Sequence, residues 1–192
     1  MHKRIAVAAA AALVSCGGSS WVDPTTGTFS AQDSADIMTM VSAAFSAVAK
    51  APAQQAPLQG NKAATQSVSS TISCAVSGSV TVSGAVNSNC NSAGTSCTFN
   101  GSMNLALNTC TTQNLIGTGG LYVSAYGSET TNGSTTAFSV TEHIEGGITV
   151  KRASDGSTVG TCGIYVDATV SSDGTTETIH VNGTVCKQAV AQ

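Results

Sequence analysis

The sequence predicts an α+β domain that is mostly β. It should form an antiparallel meander of about six long strands, with one N-terminal amphipathic helix packed on the apolar face. Three observations carry this. From residue 71 onward, hydrophobic side chains recur at every second position, the period of a half-buried strand. Asn- and Gly-rich spacers divide these runs with no helical period between them, which excludes parallel crossovers. One stretch, 31–50, instead spaces its apolar residues for a helix. A small closed β-barrel is the alternative, since closing the sheet also hides an apolar face.

The helix has a start and a stop. Ser30 and Asp33 match a capping box, in which side chains satisfy the free amides of the first turn. Ile37, Met40, Val41, Ala44, Phe45 and Val48 then line one side. Ala51-Pro52 ends the run. A helix over 31–50 spans about 30 Å, enough to cover a sheet. Residues 51–70, a mix of Ala, Gln, Pro and Ser, read as a low-complexity linker.

The β domain is expected over 71–192. In its first strand Ile72, Cys74, Val76, Gly78, Val80, Val82, Gly84 and Val86 take the even positions. At roughly 3.3 Å per residue that strand would reach about 50 Å, so a bend or break is expected near Gly78. Between 97 and 109 the odd positions turn inward, at Cys97, Phe99, Gly101, Met103, Leu105 and Leu107. Further runs follow at 115–127, 136–151, 159–171 and 176–186. Asp155-Gly156 and Asp173-Gly174 carry hairpin-turn chemistry.

The chain of 192 residues suits one domain with a short appendage. Charged residues make up 9%, against roughly 25% in ordinary soluble domains. With 7 Lys+Arg against 10 Asp+Glu, there is no basic footprint for nucleic acid. Aromatics at 4% make stacking platforms scarce.

The first residues look like an address. His2-Lys3-Arg4 is basic, and Ile5 to Val14 is an unbroken apolar run. Such a run is too short to cross a bilayer and has the layout of a secretory signal. It ends in Leu13-Val14-Ser15-Cys16. This segment resembles the lipobox of bacterial lipoproteins. The resemblance covers residues 1–16 only, and all four lipobox positions agree. It implies cleavage of a signal peptide at 1–15, lipidation of Cys16 and a membrane anchor of acyl chains. Gly17, in place of Asp, favours the outer membrane over the inner by the sorting rule of enteric bacteria. Residues 16–29, rich in Gly, Ser and Thr, would then be a lipidated Cys with a flexible tether.

The other six cysteines form an even set in an exported chain, which implies disulfides. Zinc competes poorly, because no Cys-x-x-Cys pair occurs. Hairpin brackets suggest Cys74 with Cys110, Cys90 with Cys97, and Cys162 with Cys186. In the first and last pairs the second Cys is one residue out of phase, so a bulge or frayed end is required.

Catalytic motifs are missing: no G-x-S-x-G elbow, no phosphate-binding loop and no H-E-x-x-H occurs. One polar cluster is worth weighing. If Asp173-Gly174 is a two-residue turn, Asp167 faces His180. If the loop around Gly156 is odd, Glu145 faces Asp167, and His143 lies one pleat away. Together they could bind a divalent cation or share a proton. The alternative is ordinary cross-strand pairing on a wet face. No cofactor or metal is expected. The expected function is a non-enzymatic envelope lipoprotein engaged in surface interaction or scaffolding. Its partners would be the membrane, through the anchor, and an envelope protein or surface. Two alternatives are a carrier of an apolar ligand or lipid between helix and sheet, and a metal-dependent enzyme using the polar cluster.

Overall fold

The computed structural model describes residues 22–50 and 63–191, without the side chains of 42–50. Cys16, the signal segment 1–15 and residues 51–62 lie outside the described residues, as do the side chains of Ala44, Phe45 and Val48.

Period-two alternation builds one antiparallel sheet. In chain order the elements are β1 (Thr26–Gly27), α1 (Ala31–Lys50), β2 (Ala64–Ser73), β3 (Ser77–Cys90), β4 (Ser96–Thr111), β5 (Leu115–Asn132), β6 (Thr135–Arg152), β7 (Thr158–Ser172), β8 (Glu177–Val185) and β9 (Gln188–Ala191). Strands β2 to β9 follow one another in sequence order across the sheet, and β1 pairs with β7 outside that path. The sheet is open, with β2 and β9 at its two ends, so the closed barrel is not what forms.

The structure has more strands than the expected six. The supposed strand from 71 to 86 is a hairpin of β2 and β3, turning at Cys74–Val76. Ile72 pairs with Val80 and Ser70 with Val82. Even residues face even residues across the turn, so the alternation passes through it without a phase change and hides it. Strand β2 also takes the last seven residues of the expected linker. Of its inward positions only Val68 and Ile72 are large and apolar, which left little pattern to detect. Strand β9 is four residues long, below the length at which alternation is readable.

The expected tether is also shorter. Thr26 and Gly27 pair with Thr161 and Gly160, Thr25 is buried, and Phe29 joins the core. A polar composition suggested mobility, but the Thr25 hydroxyl accepts a bond of 2.8 Å from the Gly163 amide.

One face of the sheet is the inner, apolar one. Val80, Val82, Leu105, Leu107, Val123, Ile144, Ile148 and Ile164 are all buried there. Each such burial is worth roughly 1.5–3 kcal/mol against exposure. Ile37, Met40 and Val41 of α1 belong to the same buried cluster. The helix begins as expected. The Ser30 amide donates to Asp33 Oδ2 at 2.9 Å, and the Asp33 amide donates to Ser30 Oγ at 3.1 Å. Asp33 also pairs with Arg152 at the end of β6, and Asn114 Nδ2 donates to Asp36 Oδ2 at 2.8 Å.

The three cysteine pairs are Cys74–Cys110, Cys90–Cys97 and Cys162–Cys186, with Cα separations of 5.4, 4.0 and 4.5 Å. The phase problem is solved locally at both ends. A register shift in β4 between Leu107 and Cys110, with Thr109 at φ 50, inserts one residue and turns Cys110 inward. Gly78 sits against this bulge at φ 83, where a Cβ would lie 2.1 Å from the Thr109 carbonyl oxygen. At the other end, Cys186 and Lys187 form the two-residue turn between β8 and β9, at φ 51 and 66.

Candidate functional site

The outer face of the sheet is polar, and its register arranges side chains in cross-strand rows. Strands lie about 4.8 Å apart, and successive rows about 6.8 Å apart. The central row holds Ser102, Ser124, His143, Asp167 and Asn182, on β4 to β8. The row below holds Ser83, Asn104, Tyr122, Glu145, Tyr165 and Thr184. The row above holds Asn100, Tyr126, Thr141, Thr169 and His180.

Three of the four expected site residues come together. His143 and Asp167 are direct cross-strand partners, and Nδ1 lies 2.5 Å from Asp167 Oδ1. Nε2 of the same ring lies 3.5 Å from Glu145 Oε2. The Tyr165 ring meets the imidazole edge to face, with centroids 4.9 Å apart. Asp167 is buried at 6% exposure although it points to the outer face. His143 is therefore held on two sides, and it stands between a buried carboxylate and a more exposed one.

His180 is not part of the cluster. It faces Thr169 and is exposed, while Asp167 faces Asn182. The expected pairing of Glu145 with Asp167 is also displaced, because Glu145 faces Tyr165. Each register differs from the expected one by two residues. The reason lies in the loops. Asp173 and Gly174 are not a tight two-residue turn but part of a four-residue loop, 173–176, between paired Ser172 and Glu177. Asp173 Oδ1 accepts from the amides of Thr175 and Thr176, both at 2.8 Å. These bonds, with the Thr175 hydroxyl, hold its carboxyl down at about 2.

Among the described residues, no group of three or more His, Cys, Asp or Glu side chains has the geometry to hold a metal ion. Ser124, His143 and Asp167 stand in the order of a nucleophile, a base and its orienter. No hydrogen bond joins Ser124 to His143 among the described residues; Nε2 faces Glu145 instead. The ladder also commits the neighbouring backbone amides to strand pairing, so no pair of free amides is on hand for an oxyanion.

Below the Tyr122–Glu145 row the sheet is nearly bare. Ala106, Gly120, Gly147 and Gly163 form a cross-strand row with almost no side chains. This cuts a trough across the outer face. The N-terminal segment fills one end: Pro24 lies over Gly147 and Gly163, and Asp23 and Thr25 lie over Gly163. The other end is open, with a volume of about 540 Å³ lined by Thr81, Ser83, Asn104, Tyr122 and Glu145, among others. A Cβ at Gly120 would meet nothing closer than the Leu105 carbonyl oxygen at 3.7 Å.

Sequence reasoning missed Tyr122, Tyr126 and Tyr165. Aromatics are few, but all three tyrosines project from this one face, with Tyr126 63% exposed and Tyr122 39%. The available signal was their parity, opposite to that of Leu121, Val123 and Ile164. On the inner face, Glu142 is the odd residue. It pairs with Ala125 and Ala168, and burial pushes its carboxyl above the usual range.

Comparison with known protein families, with curated proteins and with solved structures finds no match to this chain.

Proposed function

We propose that this chain is a lipid-anchored envelope protein without enzymatic activity, whose outer sheet face is its interaction surface. One observation carries the reading most. The apolar face is occupied by Ile37, Met40 and Val41 of the helix, whereas the exposed tyrosines and the open trough share the opposite face. In this reading α1 covers the apolar face through these side chains, which leaves the outer face for recognition. The carrier alternative has less support, because those helix side chains take the place of an apolar ligand.

The anchor also sets an orientation. Only residues 17–22 separate Cys16 from Asp23, where the chain reaches the trough. Seven extended residue steps span about 24 Å at most. The end of the sheet bearing Gly163 then stays near the bilayer, and the loops at 91–95, 133–134 and 173–176 stand away from it.

Two measurements test this. Intact mass of the protein from envelopes should show loss of 1–15 and added acyl chains, and Cys16→Ser should release it from membranes. A free thiol at Cys16 would refute the anchor. A photo-crosslinking residue placed at Tyr126 should capture an envelope component, and one at the exposed turn residue Val76 should not. The reverse pattern would refute the interaction face.

A further inference from the structure

We propose that the open end of the glycine trough is a binding site for a neutral sugar unit of a polysaccharide or glycan. This rests on the outer face being the interaction face and names the chemistry that face recognises.

The trough is built rather than incidental. Its floor exists because Ala106 and Gly120 leave the backbone bare, in a row that continues through Gly147 and Gly163. The chain itself demonstrates what fits there. The Pro24 ring packs at 3.4 Å from the Cβ position of Gly147. The remaining space, about 540 Å³, accepts further saturated rings of that kind.

The lining selects the ring. Tyr122 stands in the row directly above Gly120, between Asn104 and Glu145. Its ring offers an apolar wall for the C–H face of a sugar. Thr81 and Ser83 supply hydroxyls from β3, and Asn104 supplies an amide from β4. These groups both donate and accept, as sugar hydroxyls do. Glu145 only accepts when ionised, and a carboxylate can take two adjacent hydroxyl donors. Its position is supported from behind. Asp167 holds His143 at 2.5 Å, and His143 stands 3.5 Å from Glu145. Among the described residues no cationic side chain lines the open end of the trough, which argues against an anionic ligand. Apolar ligands would leave this hydroxyl, amide and carboxylate set unpaired. A neutral polyhydroxyl ring satisfies all of it.

The test uses the full mature lipoprotein in a detergent without a sugar headgroup. Saturation-transfer NMR would be recorded with hexamers of glucose, mannose, galactose and N-acetylglucosamine, and with a proline-rich decapeptide. At least one hexamer should receive saturation from the protein. Tyr122→Ala should weaken that binding at least tenfold. Gly120→Leu should abolish it with an unchanged melting midpoint, because the Cβ of residue 120 meets no close neighbour. Absence of transfer to all four hexamers would overturn the proposal, as would transfer that survives Gly120→Leu. Binding of the peptide alone would overturn the sugar while leaving the interaction face standing. Failure of the crosslink from Tyr126 would instead strike the interaction face itself.

Discussion

Asp33 closes the capping box of α1 and also pairs with Arg152, 119 residues further along the chain. One carboxylate thus fixes the start of the helix and ties it to the end of β6. Asp33 is 3% exposed. The Arg152 guanidinium beside it, with the Ser30 amide and hydroxyl, holds its carboxyl down at about 2.

This relationship gives a pH dependence. The folded value lies below the unfolded one of 3.8, so the stabilisation is fully present above about pH 4 and is lost as pH falls toward 2. Arg152 is partly exposed, so we set the contribution at about 1 kcal/mol after screening. Urea unfolding of wild type and Asp33→Asn should differ at pH 6 and converge near pH 2. A gap that stays constant across that range would show that Asp33 acts through the neutral cap alone.

A reversed case sits on the inner face. Burial raises the carboxyl pKa of Glu142 in the fold above the unfolded value of 4.5, so its ionisation costs stability; that cost shrinks as pH falls through the folded value and is gone below the unfolded one. Glu142→Gln should raise the urea midpoint at pH 7, and the advantage should shrink in acid. An unchanged midpoint at pH 7 would mean that the carboxylate is solvated after all.

The turn between β8 and β9 places two non-glycine residues at positive φ. Lys187 is exposed, at φ 66. An L-residue in this region costs about 1–2 kcal/mol, a penalty that glycine avoids. Part of that gain is offset by the greater unfolded-state freedom of glycine. Lys187→Gly should therefore stabilise the domain by about 0.5 kcal/mol in chemical denaturation. Destabilisation would show that the lysine side chain makes a contact worth more than the strain.

Removing the Cys74–Cys110 bridge should be costly. Its partners are separated by 36 residues, and releasing a loop of that size from the unfolded chain costs about 3–4 kcal/mol. Cys74→Ala with Cys110→Ala should lower stability by that order, and by more than removal of Cys90–Cys97, which are separated by 7. Equal losses would show that native-state packing at the bridges outweighs loop length.

The two histidines of the outer face should respond differently. Asp167→Ala leaves His143 without its buried partner, at a cost of about 1–3 kcal/mol. His180→Gln, on an exposed position opposite Thr169, should change stability by less than about 0.5 kcal/mol. Thermal melts of both variants decide this. Comparable losses would place His180 in the same network as His143.

Away from the bulge at Thr109 and the turn at Cys186, the sequence by itself determined which face each strand side chain occupies. Alternation places Val80, Leu105, Ile148 and Ile164 inward whatever the pairing, because a strand side chain has only two directions. The helix bounds were legible for a similar reason: the Ser30–Asp33 box and Ala51-Pro52 act through neighbouring residues. The bracketed cysteines also met as expected, since hairpins bring nearby strand ends together. What alternation does not carry is register. A shift of two residues keeps every side chain on its face, so the expected pairings had the right parity while misplacing His180 and Glu145 by one pleat. The loop hydrogen bonds of Asp173 and the irregularity between Val150 and Lys151 chose among these registers. The trough was equally hidden. Gly120, Gly147 and Gly163 are far apart in the chain and become one feature only when three strands align them. Tertiary structure decided the site because each row across the sheet takes a single residue from each strand, and no local sequence pattern records which residue that is.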